Sequence, residues 1–303
     1  MAILVSNMHE NSIRGIERGD QVAATAGAGL ACSCGKEGDL IRVAEPSRGI
    51  ERIEARFHGN GFSPHRHDTY ALGITLSGVQ TFHYRGASQF SLPGNVIALH
   101  PDEVHDGAAG TEDGLIYRML YLPPGLIADA GGQDSNPLPF VGKPVIEDPL
   151  LRLALADLLD DLTRDPQDLL LDDALSRIAA GLRRNASAVR DRVGPSARRA
   201  VLACRDYLDA HADEHVSSGE LEEVAGIGRY ELARQFRRTL GTSPHRYLVM
   251  RRLDRARREL RAGAGLADAA AAAGFSDQAH FTRHFKKTYG MTPGRWVALS
   301  RAS

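Results

Sequence analysis

The sequence predicts an α+β chain of several domains: a β-barrel in the N-terminal half, a helical segment in the middle, and an all-α domain built from a repeated two-helix unit at the C-terminus. Three observations carry that expectation. Leu232, Arg234, Phe236, Arg237, Arg238, Thr239, Gly241, Pro244, Arg246 and Tyr247 recur 49 positions later as Phe281, Arg283, Phe285, Lys286, Lys287, Thr288, Gly290, Pro293, Arg295 and Trp296. Between residues 51 and 122, short runs rich in β-branched and aromatic residues are punctuated by Gly and Pro at the close spacing of an all-β sandwich or barrel. Residues 150–162 and 169–182 carry leucines at helical spacing.

Taken in order, residues 1–48 have no sustained periodicity and are rich in Gly and Ala, so they read as a loosely ordered arm. The segment 49–147 is the barrel, with strands expected at 52–57, 70–77, 80–85, 89–92, 96–100 and 115–122. Ser77-Gly78 and Arg85-Gly86 supply hairpin turns, and the Pro/Gly-rich stretch 123–149 connects to helices. Residues 148–194 form a helical linker and dimerisation segment. Its two helices are separated by Asp165-Pro166, and Leu151, Leu155, Leu158 and Leu162 lie on one face as a dimer contact. The polar stretch 185–194 is an interdomain tether.

The C-terminal domain, 195–303, opens with a packing helix at 196–211 that turns Val201, Cys204 and Leu208 inward. Each repeat then reads as a short helix, a glycine-bearing turn (Gly226-Ile227-Gly228 and Gly274-Phe275-Ser276) and a second helix, at 229–240 and 277–289. Leu232 with Phe236, and Phe281 with Phe285, lie one turn apart and seat each second helix on its core. At about 100° per residue, Arg234 and Arg283 project from the opposite side. A helix anchored on one side and bearing arginine on the other, after a glycine turn, is what a helix-turn-helix needs to enter the major groove. Between the units, Ser243 caps and Pro244 begins a helix to about residue 262, with Leu253, Ala256 and Leu260 as its buried stripe. At ~1.5 Å per residue it is a rigid spacer of roughly 28 Å. Thr292-Pro293 repeats that cap for the last helix.

Charge separates the halves. Residues 196–303 hold 19 Lys and Arg against 12 Asp and Glu, a net of +7, while residues 1–195 hold 18 against 26, a net of −8. A basic C-terminal part beside an acidic N-terminal part fits a polyanion bound by the C-terminal part alone. No apolar run approaches the ~20 residues of a membrane span, and residues 1–8 lack the sections of a signal peptide. A cytoplasmic location with reduced thiols is expected. Cys32-Ser33-Cys34 has no third ligand nearby and is read as neither a redox nor a metal pair.

LARQFRRTLGTSPHRYLVMRRLDRARREL and AAGFSDQAHFTRHFKKTYGMTPGRW, spanning about the last hundred residues, resemble the paired helix-turn-helix domain of the AraC family of bacterial transcription regulators. Pro64-His65-Arg66-His67, Gly78, Pro93-Gly94 and His105 resemble the two short motifs of the cupin barrel, a fold that many such regulators carry as an effector-sensing domain. The resemblance implies an N-terminal cupin-like barrel and a C-terminal double helix-turn-helix. The expected partners are double-stranded DNA, a small-molecule effector, a second copy of the chain and, for an activator, RNA polymerase. It implies no catalytic residue and no cofactor.

The residues expected to meet DNA are Arg229, Tyr230, Ala233, Arg234, Arg237 and Arg238 in the first unit, and Gln278, Ala279, His280, Arg283, Lys286 and Lys287 in the second. Arg234 and Arg283 are placed to read guanine, Gln278 adenine, and the later basic residues the phosphates. Glu222 stands where the family has a small residue, Gly228 where it has a serine cap, and Ala269 where a larger aliphatic is usual. Glu222 and Gly228 are expected to weaken the packing and cap of the first unit, and Ala269 the packing of the second. The expected effector-lining residues are His65, His67, Tyr70, Gln80, Phe82, His105 and Tyr117. Metal-binding cupins usually add a glutamate soon after the paired histidines. Here Asp68-Thr69-Tyr70-Ala71-Leu72 follows, so the histidines read as ligand-lining rather than metal-bound. Two alternatives remain: a metal-dependent cupin enzyme fused to a DNA anchor, and a barrel that binds a protein partner.

Overall fold

The computed structural model describes residues 38–131, 138–187 and 193–301. Cys32 and Cys34, the arm before residue 38 and the middle of the tether lie outside the described residues. The strands, in chain order, are β1 (Leu40–Val43), β2 (Glu51–Phe57), β3 (Asn60–His65), β4 (Tyr70–Ser77), β5 (Gln80–Tyr84), β6 (Ala87–Ser91), β7 (Val96–Leu99), β8 (His105–Ala109), β9 (Leu115–Leu122) and β10 (Val145–Ile146). They form two antiparallel sheets, ordered β1-β2-β9-β4-β7-β10 and β3-β8-β5-β6. β1 lies inside the stretch read as a loose arm, because pairing with β2 satisfies its backbone. β3 and β8 were not expected from sequence either.

The first sheet is apolar on both faces. Ala71, Phe57, Tyr117 and Met119 face the barrel interior, whereas Tyr70, Leu72, Ile74, Leu120 and Leu122 face an outer helical layer. That layer is α1 (Pro124–Ala130), α2 (Pro149–Leu159) and α3 (Asp168–Arg184); α1 falls in the stretch expected to be a bare connector. Asp148 caps α2 by accepting the Leu151 N–H at 2.9 Å, with Pro149 at its first position. At the other end Arg118 donates to the carbonyls of Leu159 and Asp160, each at 2.9 Å, so a cation sits where the helix dipole favours one. The leucine stripe differs from expectation: Leu151, Leu155 and Leu158 are fully buried against the sheet and α3 within this chain. Leu150, Leu153, Leu169 and Leu170 are the exposed apolar residues of this layer.

The helices that follow are α4 (Pro195–Ala210), α5 (Ser218–Ala225), α6 (Arg229–Leu240), α7 (Pro244–Arg261), α8 (Leu266–Ala272), α9 (Gln278–Tyr289) and α10 (Pro293–Arg301). Val201, Cys204 and Leu208 of α4 meet Leu221, Leu232 and Phe236 in the core of the first unit. In the second unit Phe281 and Phe285 pack with Leu253, Ala256, Ala269 and Trp296, and this core is continuous with the barrel interior. The second unit therefore closes the mouth of the barrel. Gly228 gives α6 no side-chain cap, as expected, but Glu222 compensates. Its carboxylate accepts the Arg229 N–H at 2.7 Å and pairs with the Arg229 guanidinium at 2.7 Å, so the residue that departs from the family pattern does the work of the missing serine.

Candidate functional site

Two surfaces carry the chemistry. The first is the outer side of α6 and α9. Leu232, Phe236, Phe281 and Phe285 are buried, so Arg229, Tyr230, Arg234, Arg237 and Arg238, together with Gln278, Ala279, Arg283, Lys286 and Lys287, are left exposed. Ala233 and His280 are half-buried at the edge of that face. Asp277 caps α9 by accepting the His280 N–H, which directs the exposed N-terminal turn outward. The two arginines at equivalent places differ. Arg234 Nε donates to Glu231 at 3.1 Å, while among the described residues Arg283 makes no ion pair or hydrogen bond.

The opposite ends of these helices dock on the barrel. Gly241 and Gly290 close α6 and α9 in the left-handed conformation at φ +74° and +67°. A Cβ on Gly241 would stand 2.7 Å from Pro101, and one on Gly290 would stand 2.6 Å from the Ser63 carbonyl. The Ser63 N–H donates to Gly290 O at 2.9 Å, and the Arg66 N–H donates to Lys287 O at 3.3 Å. Glycine at this point of each repeat thus serves both a helix cap and a close interdomain approach.

The second surface is a cleft of about 800 Å3, counting its open mouth, between the barrel and α7, α9 and α10. His65, His67, Glu51, Asp68 and Tyr121 line it from the barrel side, and Met250, Arg251, Asp254, Arg257, Tyr289 and Trp296 from the other. Ion pairs cross it: Arg257 Nη2 to Glu51 Oε1 at 2.7 Å, Arg251 Nη2 to Asp68 Oδ2 at 3.0 Å, and nearby Arg246 Nε to Asp102 Oδ1 at 2.8 Å. Arg257 is only 6% exposed and also lies over the rings of Tyr289 and Trp296, at 4.7 and 5.0 Å. Burial alone would raise the Glu51 carboxyl, but the charge and hydrogen bond of Arg257 outweigh it and hold it below its ordinary range.

His65 and His105 face each other across the β3–β8 ladder and His67 follows just beyond it, so the three rings cluster with centroids 4.3, 4.9 and 6.2 Å apart. Burial pushes His65 down to about 4 and His67 to about 3, and holds His105 well below the ordinary histidine range, so all three are neutral at pH 7. Among the expected lining residues, His65 and His67 reach the cleft, with His105 beside them. Phe82 and Tyr117 fill the barrel interior instead, and Gln80 is buried on the Phe82 side of β5. Tyr70 faces the helical layer, where its hydroxyl donates to Pro139 O at 2.8 Å. It belongs to the other side of the sheet, because its neighbour Ala71 is the residue that points into the barrel. Asp68 is turned to Arg251, away from the imidazoles. Sequence reasoning missed Arg257, although a charge between Leu253 and Leu260 on the apolar stripe of α7 signals a buried partner.

Residues 48–179 match the family described as AraC-like ligand binding domain, and residues 221–298 match that described as helix-turn-helix domain. An uncharacterised HTH-type transcriptional regulator of Bacillus subtilis, YbfI, is 28% identical over 75% of this chain and 85% of its own length. The HTH-type transcriptional activator RhaS of Pectobacterium carotovorum is 35% identical over 35% of this chain, which spans only 39% of that protein. Crystal structures of ToxT from Vibrio cholerae share the fold. One aligns with a TM-score of 0.63 at 11% identity over 85% of this chain and 100% of its own. Another, with unsaturated fatty acid bound, aligns with a TM-score of 0.60 at 12% identity over 90% and 99%.

Proposed function

The chain belongs to the AraC family of transcriptional regulators, with an N-terminal ligand-binding domain and a C-terminal helix-turn-helix domain that binds DNA; from that premise we propose that its effector binds in the interdomain cleft and controls how the second helix-turn-helix unit is docked. The observation that carries this reading is that the cleft is walled by both domains. A ligand there must change the affinity of one for the other, and only unequal affinity for docked and undocked arrangements can shift the balance between them. The lining mixes apolar surface from Ile41, Ile53, Phe62 and Met250 with Arg251 and Arg257. This fits an organic acid with an apolar body, whose carboxylate competes with Glu51 or Asp68 for an arginine.

The protein acts in the cytoplasm as a regulator rather than an enzyme, and as an activator it would contact RNA polymerase. It pairs with a second copy through the exposed leucines Leu150, Leu153, Leu169 and Leu170. Arg234 and Arg283, with Tyr230, Gln278 and Ala279 on the same outer side, meet base edges, Arg237, Arg238, Lys286 and Lys287 the phosphates, and Arg229, Ala233 and His280 complete the DNA-facing surface.

Gel-shift titrations test the split. Residues 196–303 should bind operator DNA with steep salt dependence and residues 1–190 should not. Arg257→Gln in the full chain should alter the response to a long-chain carboxylic acid while leaving fragment 196–303 unaffected by that acid. Binding of DNA by the N-terminal fragment alone, or an equal response to the acid in the isolated fragment, would overturn the reading.

A further inference from the structure

We propose that Glu231 is a specificity-determining residue of the first helix-turn-helix unit: its carboxylate accepts the N4 amino group of a cytosine beside the guanine read by Arg234, and it holds Arg234 back on sites that lack that cytosine. The proposal rests on the placement of α6 against base edges. Glu231 is the one carboxylate in the sequence of α6 and stands in its first turn, the part of a recognition helix that reaches base edges. At about 100° per residue it lies roughly 60° around the helix from Arg234, on the side away from Leu232 and Phe236. Three residues advance about 4.5 Å along the axis, close to the ~3.4 Å step of a DNA strand, so the two side chains address neighbouring base pairs.

Donors from the following turn set the side chain. Arg234 Nε donates to Glu231 Oε2 at 3.1 Å, Arg234 Nη2 donates to the same oxygen, and Gln235 Nε2 donates to Oε1. The hydrogen bonds from Gln235 and then Arg234 hold the carboxyl below its ordinary range, so it is ionised at pH 7. A carboxylate has room for about four donors, which leaves lone pairs directed outward. An exposed pair of this kind contributes little to stability, and an acidic first turn needs no partner to favour the helix dipole. Neither role explains a negative charge set among Arg229, Arg234, Arg237 and Arg238 on a surface that approaches phosphates. In the second unit the equivalent position is His280 and the sequence of α9 holds no carboxylate, so no residue of α9 restrains Arg283 in this way.

Cytosine offers a carboxylate an N4 donor in the major groove, whereas guanine and thymine present acceptors there and adenine sets N7 beside its amino group. A carboxylate pressed into the groove against an acceptor is repelled and loses water without a replacement partner. On such a site Glu231 keeps Arg234, and the guanidinium is withheld from guanine. Where the cytosine is present, Glu231 exchanges Arg234 for the N4 amino group, and Arg234 turns to guanine. The first unit thus discriminates by rejecting wrong sites as well as by binding the right one.

The test uses the full-length protein and duplexes that it selects from a randomised pool, with affinities read by fluorescence anisotropy. The wild-type protein should select a cytosine at a base pair next to the guanine whose selection is lost in Arg234→Ala. Replacing that cytosine by each other base should weaken wild-type binding roughly 5- to 10-fold, the lower part of the range for one side-chain–base pairing. Glu231→Gln should lose most of that discrimination. It should also bind random-sequence duplex more tightly, with a slope of log K against log salt steeper by up to about 0.9. A duplex whose cytosine lacks the exocyclic amino group should weaken the wild-type protein about 5-fold and leave Glu231→Gln unaffected. Unchanged base preference in Glu231→Gln overturns the role of Glu231, as does a uniform loss on every duplex, which marks a merely structural role. If Arg234→Ala also leaves selection unchanged, the placement of α6 itself is overturned, so the two failures are told apart. The modified duplex needs no variant: wild-type binding unaffected by loss of the amino group overturns the proposal even if Glu231→Gln fails to fold.

Discussion

Glu51→Gln isolates the interdomain ion pair. The amide keeps the shape of the side chain at the start of β2 but leaves the Arg257 charge, 6% exposed, without its nearest counter-ion. Removing one partner of a buried pair costs about 3–5 kcal/mol. Glutamine still accepts one hydrogen bond and Asp254 lends some field, which favours the lower end, about 3 kcal/mol. Undocking is the motion that returns Arg257 to water, so the penalty falls on the docked arrangement. At about 1.4 kcal/mol per tenfold, opening of the interface becomes on the order of 100-fold more frequent. Amide hydrogen exchange reads this directly, because the Ser63 and Arg66 N–H groups donate across the interface to Gly290 O and Lys287 O. Both should exchange on the order of 100-fold faster in the variant, while amides within β4 and β9 keep their protection. If Ser63 and Arg66 are unchanged, the pair does not hold the domains together. If β4 and β9 accelerate in step, the substitution has weakened the whole fold and the undocking argument fails.

Against a panel of single-base operator variants, Arg283→Ala should cost roughly 1–3 kcal/mol and relax preference at one position, whereas Lys286→Ala should weaken every site alike. Arg234→Ala should cost less, because Arg234 must first leave Glu231, and a uniform loss in Arg283→Ala would refute base reading. Gly226→Ala, with open space around its Cβ, should cost only the about 1–2 kcal/mol of a left-handed alanine; Gly290→Ala, crowded by Ser63, should cost clearly more and release the docked unit, as thermal melts and exchange at Ser63 will report. His284 is pushed down to about 4 by burial and then by the neighbouring His280 charge. Its folded pKa lies below the unfolded value, so its contribution to stability is present above about pH 6.5 and is lost as pH falls from there toward 4. The slope stays below the about 1.4 kcal/mol per pH unit of a fully buried group. His284→Asn should flatten the melting profile across that window.

Local periodicity determined a good deal of this molecule. The 49-residue repeat placed α6 and α9, their phenylalanine and leucine anchors and their exposed arginines, because a helix buries whatever is apolar at one-turn spacing wherever it packs. β4 and β9 were legible for the same reason, as long β-branched and aromatic runs. The tertiary structure decided the rest, and in each case by supplying a partner distant in sequence. β3 and β8 contain Gly61, Pro64 and Gly107 and pair with register shifts, so neither reads as a strand alone; each becomes one through its partner, and that pairing sets His65 opposite His105. Tyr70 could not be assigned a face, since alternation separates two sides of a strand without saying which lies inside when both are covered. The leucines of α2 announced a buried stripe but not that β9 and α3 bury it. Glu222 looked like a defect until Arg229 came within its reach. Arg257 and Glu51 stand 206 positions apart, and the closure of the barrel mouth by α7 that joins them is written in no local pattern.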